Sequence, residues 1–201
     1  MPEYDKTQLR RTASPAPENT GAAPHGGDGF SHAYPEMLLR RYRVMNSCGT
    51  GGFGAVLACW DTRLQRRVAI KRLPLISQAG VASTESQAMA STIDEALGEA
   101  RTASRLEHPN IVAIHDFEVE DGIAYIVMEY VDGLTLADLL ARVEGGTLTH
   151  DETAYLVHEL GCALAFAHQN GILHLDIKPS NIMFTYDGSV KLCDFGMATL
   201  A

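Results

Sequence analysis

His174-Leu175-Asp176-Ile177-Lys178-Pro179-Ser180-Asn181, followed by Cys193-Asp194-Phe195-Gly196, is the part of this sequence that decides its fold. Asp176 and Asn181 are separated by four residues, and Asp194 follows Asn181 by thirteen. Phosphoryl transfer from ATP requires such groups: one carboxylate orients an attacking hydroxyl and accepts its proton, while an amide oxygen and a second carboxylate hold magnesium. Lys178, two residues past Asp176, would neutralise charge on the transferred group.

The composition excludes several classes of protein. The chain has 201 residues, 46% of them hydrophobic and 20% charged, as in ordinary soluble globular proteins. A net charge of -9, with no basic run beyond residues 40–43, argues against nucleic acid as a partner. No apolar run approaches the roughly eighteen residues of a membrane helix, so no membrane segment is expected, and the N-terminus lacks the apolar core of a secretory signal.

The cysteines indicate a reducing environment. The chain has four, Cys48, Cys59, Cys162 and Cys193, with no Cys-x-x-Cys pair and no histidine cluster beside them. A zinc site or a disulfide framework is therefore not expected, and a cytoplasmic location fits the chain. We interpret Cys193, next to Asp194, as a small buried apolar residue.

A glycine-rich stretch, Gly49-Thr50-Gly51-Gly52-Phe53-Gly54-Ala55-Val56, lies between two predicted strands, residues 42–47 and 56–60. Glycine lets the backbone turn sharply and approach a ligand closely. A Rossmann site shares this spacing, but it opens a helix and needs an acid about twenty residues on, where this chain has Lys71. No Gly-Lys-Ser/Thr occurs, which excludes a Walker P-loop. The pattern predicts a β-hairpin that covers phosphates.

Val68-Ala69-Ile70-Lys71 predicts a third strand. Because side chains alternate along a strand, Val68 and Ile70 face one way while Ala69 and Lys71 face the other. The alternation alone also fits a solvated edge lysine. The preceding glycine-rich hairpin favours a contact between Lys71 and phosphates.

The remaining elements follow from periodicity and capping patterns. Residues 1–37, rich in Pro and Gly, predict a disordered arm. Helical spacing predicts a helix over about 93–106, in which Glu95 and Glu99 are both candidates to pair with Lys71. Residues 111–117 and 123–129 predict two strands around a turn, and short strands are predicted on both sides of a turn at 186–188. Helices are predicted over 135–144 and from Thr149, with a capping box to Glu152, as far as Gly171.

Taken in order over residues 42–201, these motifs resemble the eukaryotic-type serine/threonine protein kinases, the bacterial Hanks-type family. The resemblance implies an α+β, two-lobed, protein-kinase-like fold. The N-lobe would be a five-stranded antiparallel sheet with one main helix, and the C-lobe would be helical and incomplete. The implied domains are the arm at 1–37, the N-lobe and hinge at 38–131, and a partial C-lobe at 132–201.

The resemblance also implies a role for each matching residue. Asp176 would position the acceptor hydroxyl, assisted by Lys178, while Asn181 and Asp194 would hold Mg²⁺ or Mn²⁺. Lys71 would hold the ATP phosphates and pair with Glu99, which is nine residues before His108 as in the family. The implied nucleotide-binding positions are Gly49, Thr50, Gly51, Gly52, Phe53, Gly54, Val56, Ala69, Lys71, Met128, Glu129, Val131 and Met183. The expected partner is a protein substrate with a Ser or Thr acceptor.

Two departures from the family pattern bear on activity. Leu175 replaces the usual Arg, which reads a phosphate on the activation loop, so the parent protein is expected to need no such phosphorylation. Most of the activation segment and the later helices are absent from this sequence, so we expect no appreciable protein kinase activity from these 201 residues alone. The alternative function is an inactive nucleotide-binding or scaffold module. A small-molecule phosphotransferase is disfavoured by the glycine-rich hairpin and Lys178.

Overall fold

The computed structural model describes residues 34–51, 54–74, 98, 104–195 and 199–200. Within these residues the chain forms two compact units. The first unit takes its residues from 34–101 and 114–130, and the second from 104–113 and 131–200. The segment at 104–113 therefore belongs with residues that follow it much later in the chain.

The described part of the first unit is an antiparallel sheet of six strands in the order β1-β2-β3-β4-β6-β5. The strands are β1 (Met37–Leu38), β2 (Tyr42–Gly51), β3 (Gly54–Asp61), β4 (Arg66–Pro74), β5 (Ile114–Glu120) and β6 (Ile123–Glu129). Strands β2 to β6 correspond to the five predicted strands. The prediction missed β1, because two residues are too few to display the alternation that identifies a strand.

Side chains alternate across β4 as the sequence predicts. Val68 and Ile70 are fully buried in a core cluster on one face of the sheet. Ala69 and Lys71 lie on the other face, opposite Met128 and Ile126 of β6. The core cluster consists of Leu38, Tyr42, Leu57, Cys59, Val68, Ile70, Tyr125 and Val127. Each large apolar side chain buried there contributes about 1.5–3 kcal/mol.

A bidentate ion pair holds one end of this sheet together. Arg41, just before β2, donates from Nε to Oδ1 of Asp61 at 3.0 Å and from Nη2 to Oδ2 at 2.7 Å. The backbone N–H groups of Arg63 and Leu64 also donate to Oδ1, at 2.9 and 3.1 Å. Asp61 is only 1% exposed, and its pKa is lowered to about 2, chiefly by the hydrogen bond from Arg41.

The helix predicted over 93–106 falls mostly outside the described residues, and so do Glu95 and Glu99. Gly98 is helical, but residues 104–105 form a turn and Leu106 has no regular structure. The predicted helix end at 106 is therefore wrong. The turn precedes Pro109, whose ring disfavours helical backbone at the residue before it.

The described part of the second unit combines two helices with short strands. Its elements are β7 (Gly133–Thr135), α1 (Leu136–Arg142), α2 (His150–Gln169), β8 (Ile172–Leu173), β9 (Ile182–Thr185), β10 (Val190–Leu192) and β11 (Thr199–Leu200). The strands pair as β10-β9-β7 and β11-β8. Gly133 lies so close to β9 that a Cβ atom would overlap the carbonyl oxygen of Phe184, so only glycine fits there.

The long helix α2 begins and ends where the sequence predicts. Thr149 and Glu152 form a capping box, and Gly171 follows the helix with a φ of 71°. Four apolar residues lie along one face of α2: Leu156 and Ala167 are buried, while Leu160 and Leu164 are half-buried. In the described part of the chain, no helix combines the length and apolarity that a membrane crossing requires.

Candidate active site

The segment between β8 and β9, residues 174–181, is the candidate catalytic loop. Its irregular backbone closes with a short 3₁₀ turn at Pro179–Asn181. Both ends of the loop are buried: Ile172 and His174 at its start, and Asn181 and Ile182 at its end. Between these ends Leu175 is 61% exposed and has a φ of 61°. The backbone is therefore held firmly while the middle of the loop faces solvent.

Asp176 accepts hydrogen bonds through only one of its two carboxylate oxygens among the described residues. Oδ2 accepts from Lys178 Nζ at 2.6 Å and from Asn181 Nδ2 at 3.0 Å. These bonds, the one from Lys178 foremost, lower the pKa of Asp176. The side chain is therefore ionised at neutral pH, and Oδ1 remains available to a substrate hydroxyl.

Asn181 connects the catalytic loop to the residue before Asp194. Its side-chain nitrogen donates to the carbonyl oxygen of Asp176 at 2.9 Å as well as to Oδ2, so Oδ1 of the amide is left as a possible metal ligand. The carbonyl oxygen of Asn181 accepts from the N–H of Cys193 at 2.9 Å. The two predicted metal ligands, Asn181 and Asp194, are thereby brought to neighbouring positions.

These two ligands suit a magnesium ion that arrives with a nucleotide. Among the residues that the structure describes, no group of three or more His, Cys, Asp or Glu side chains could hold a metal by itself. Magnesium is usually held by one or two protein oxygens, with phosphate oxygens and water completing its octahedron. One carboxylate and one amide oxygen match that donor set.

His174 is a buried connection between the two site segments. Its Nδ1 accepts from the N–H of Asp176 at 3.2 Å, so the proton of the neutral ring lies on Nε2. Nε2 then donates to the carbonyl oxygen of Cys193 at 3.1 Å. Burial lowers the pKa of His174, which keeps the ring neutral, and the ring packs against Phe195 at 4.5 Å between centroids.

In the first unit, the cross-strand register brings several predicted nucleotide contacts to one face. Val56 lies opposite Lys71, and Ala69 lies opposite Met128. Lys71 is 9% exposed on that face. Glu129 pairs with Val68 instead, so its side chain belongs to the core face, and a contact with a nucleotide would have to come from its backbone.

The other predicted nucleotide contacts divide among three places. Gly49, Thr50 and Gly51 end β2, Gly54 begins β3, and Gly52 and Phe53 lie outside the described residues. Val131 is 8% exposed in the second unit. Met183 is half-buried in β9, opposite Thr135 and Lys191.

The sequence analysis missed His174 and Phe195 as site residues. Their contacts join positions about twenty residues apart, and no local pattern encodes such a contact. The apolar run around His174 was the only available signal, because a polar side chain inside such a run needs buried hydrogen-bond partners.

Comparison with known proteins finds a matching family and several relatives. The family model described as the protein kinase domain matches residues 42–201. The serine/threonine-protein kinase PrkC of Bacillus subtilis is 41% identical over 164 residues, which are 82% of this chain and 24% of PrkC. PknA, a serine/threonine-protein kinase of Mycobacterium tuberculosis, is 38% identical over 166 residues, 80% of this chain and 36% of PknA.

A third relative, a probable serine/threonine-protein kinase of Streptomyces coelicolor, is 42% identical over 170 residues. The match covers 82% of this chain and 23% of that protein. The chain thus spans about a quarter to a third of the length of the curated relatives that it matches.

Proposed function

This chain belongs to the protein kinase domain family, and from that premise we propose that it serves as the nucleotide-binding and catalytic part of a serine/threonine protein kinase. The reaction would transfer the γ-phosphate of ATP to a Ser or Thr hydroxyl of a protein. The observation that carries the proposal is the hydrogen-bonded set of Asp176, Lys178 and Asn181, joined to Asp194 through Cys193.

We assign the ATP phosphates to groups of the first unit. Lys71 would hold the phosphates, supported by its placement on one face of the sheet with Val56, Ala69 and Met128. Glu99, which lies outside the described residues, would pair with Lys71. Glu129, Val131 and Met183 are the remaining proposed nucleotide contacts, and residues 49–54 would cover the phosphates.

The metal ligands would be Asn181 and Asp194. Bound magnesium, or manganese, neutralises charge on the phosphate oxygens and holds them in place for transfer. Asn181 is suited to this role because its nitrogen is held by Asp176, which fixes the direction of its oxygen.

Asp176 would accept the hydrogen bond of the acceptor hydroxyl. A bond forms between the hydroxyl oxygen and the γ-phosphorus, while the bond from that phosphorus to the β–γ bridging oxygen breaks and ADP leaves. The hydroxyl proton passes to Asp176 and then to solvent. Lys178, 2.6 Å from Asp176, would offset the charge of the phosphoryl group as it moves.

The proposal is tested by binding and transfer together. Mg·ATP at a hundredfold excess over its dissociation constant should raise the free energy of unfolding by about 2.7 kcal/mol. The melting temperature should rise accordingly. Because these 201 residues alone are expected to be inactive, phosphate transfer to a generic basic protein is then measured on a full-length parent protein, with Mg²⁺, with Mn²⁺ and with a chelator. Lys71→Met should weaken phosphate alignment, and Asp176→Asn is the control for the chemical step.

The outcomes separate the candidate functions. Metal-dependent transfer that Asp176→Asn abolishes supports the kinase. Binding of Mg·ATP without transfer by the full-length parent favours the nucleotide-binding or scaffold module. A folded sample with no shift at millimolar nucleotide contradicts both.

A further inference from the structure

Asn110 occupies a buried position in the second unit, between α2 and β10. Asn110 is only 6% exposed. Its side-chain nitrogen, Nδ2, donates two hydrogen bonds. One bond runs to Glu159 Oε2 of α2 at 2.7 Å, and the other runs to the carbonyl oxygen of Val190 in β10 at 2.9 Å. A single side chain thereby ties the strand to the helix.

The backbone around Asn110 also forms hydrogen bonds with β10. The carbonyl oxygen of Asn110 accepts from the N–H of Leu192 at 2.8 Å, and the N–H of Val112 donates to the carbonyl oxygen of Leu192 at 2.9 Å. Ile111 and Leu192 form a parallel bridge. Every bond in this set stabilises the last residues of β10.

The segment that carries Asn110 is itself fixed to α2. His108 Nδ1 accepts from the N–H of Asn110 at 3.1 Å, and the His108 ring packs on Phe166, 5.2 Å between centroids. Glu159 and Phe166 are seven residues apart, about two helical turns, and so lie on the same face of α2. His108 and Asn110 therefore attach their segment to the helix at two points.

The strand β10 leads directly into the site. Only Cys193 separates its last hydrogen-bonded position, Leu192, from Asp194. Cys193, between them, donates its N–H to Asn181 and accepts from His174 through its carbonyl oxygen. Asp194 itself has a φ of 63°, a conformation that a non-glycine residue keeps only when its surroundings hold it.

We propose that the Asn110–Glu159 pair is a positioning element for Asp194, which holds the end of β10 in place so that the carboxylate can bind the metal. Asn110 would act through the backbone and would touch neither ATP nor metal. The inference rests on the proposed role of Asp194 as a metal ligand. It assigns a function to two residues that are not among the proposed catalytic, nucleotide-binding or metal-binding residues.

A first test uses hydrogen exchange and needs no activity. In Asn110→Ala, the amides of Leu192 and Cys193 should exchange about tenfold faster or more, because the local opening of β10 becomes easier. Tyr155→Phe is the matched control, since it removes a different bond from α2, the one to the carbonyl oxygen of Gly188 at 3.1 Å. The control should leave exchange at Leu192 and Cys193 within about twofold of the unaltered protein.

A second test measures the metal. The Mg²⁺ concentration that gives half of the ATP-induced melting shift should rise about tenfold in Asn110→Ala, as is typical when a residue supporting a metal ligand is removed. Glu159→Ala should behave in the same way. Glu159→Gln, whose amide oxygen can still accept from Asn110, should retain most of the metal affinity. ATP binding without Mg²⁺ should be unchanged in all three variants.

Two results would overturn the inference: unchanged exchange at Leu192 and Cys193, or unchanged Mg²⁺ dependence in both Asn110→Ala and Glu159→Ala. If Asn110→Ala does not fold, the pair Glu159→Ala and Glu159→Gln decides the question. If the unaltered protein shows no Mg²⁺-dependent shift, the proposed function fails and the metal role of Asn110 fails with it. Exchange at Cys193 then still shows whether Asn110 holds β10.

Discussion

Asp61 in the first unit and Asp176 in the second are both carboxylates held by a cation, yet their surroundings suit them to opposite tasks. Asp61 is 1% exposed and accepts four hydrogen bonds, shared by both oxygens. The side chain of Asp176 is 28% exposed, and Oδ2 alone accepts bonds from described residues. A carboxylate whose oxygens are all used can only support structure, whereas one with an open oxygen can receive a substrate.

The largest expected effect is the loss of transfer in Asp176→Asn. In a full-length parent protein, removal of the group proposed to accept the hydroxyl proton should lower the rate about 10²–10⁴-fold. The melting temperature should hardly change, because Asn keeps the shape and the side chain is partly exposed. Rate and melting curve are measured on the same preparation. An Asp176→Asn protein that is as active as the original would remove Asp176 from the mechanism.

For Asp61→Asn we expect the protein to lose stability while its affinity for the nucleotide stays the same. Loss of the charged partner of Arg41 should lower the free energy of unfolding by about 1.5–3 kcal/mol, the usual range for hydrogen bonds to charged groups. The folded fraction should still bind Mg·ATP with unchanged affinity. Urea unfolding measures the first quantity, and calorimetric titration below the melting temperature measures the second. Weakened nucleotide binding without a stability loss would contradict the structural role of Asp61.

The pH dependence of stability sharpens the same contrast. Asp61 has a pKa of about 2 in the folded protein, below its ordinary value of 3.8. Since the folded pKa is the lower one, the stabilisation by ionised Asp61 is complete above the ordinary pKa and is lost as the pH falls through about 2.

We therefore expect a constant difference in unfolding free energy between the unaltered protein and Asp61→Asn at neutral and mildly acidic pH. The difference should shrink only below the ordinary pKa of the carboxyl. Urea titrations across the acidic range measure it. A difference that already shrinks near neutral pH would show that Arg41 does not lower the pKa of Asp61.

The smallest expected effect concerns Lys178→Met. The hydrogen bond from Lys178 is the main cause of the lowered pKa of Asp176, so its loss should raise that pKa. The acidic limb of the pH–rate profile should then move to higher pH, and activity should fall more in acid than at neutral pH. Lys178→Arg, which keeps the charge, serves as the control. Identical pH–rate profiles for Lys178→Met and the original protein would show that Lys178 does not affect the pKa of Asp176.

Local patterns account for most of the elements. Alternating apolar residues predicted the faces of β4, and the Thr149–Glu152 capping box predicted the start of α2. Such features involve residues within a few positions of one another, so the sequence displays them directly. The extra strand β1 and the turn at 104–105 were missed; a two-residue strand has no period that a sequence pattern could display.

The candidate site divides in the same way. Asp176, Lys178 and Asn181 are close in sequence, and the resemblance of their motif to the kinase family made them candidates; the structure shows that they are hydrogen-bonded to one another. Lys71 and Asp194 were identified by motif. His174 begins the same motif, but the bonds of its buried ring to Asp176 and to Cys193 could not be predicted from the motif.

The sequence by itself therefore determined the chemistry of this protein: which carboxylates, amide and lysines it has, and at what spacing. Only the tertiary structure decided which oxygen of Asp176 stays open and that both oxygens of Asp61 accept hydrogen bonds. It also decided that Asn110 bonds to Glu159, 49 residues away, and to Val190, 80 residues away. The reason is physical. Residue types and local periodicity are written in the order of the chain, whereas burial and hydrogen-bond partners depend on segments that meet only when the chain folds.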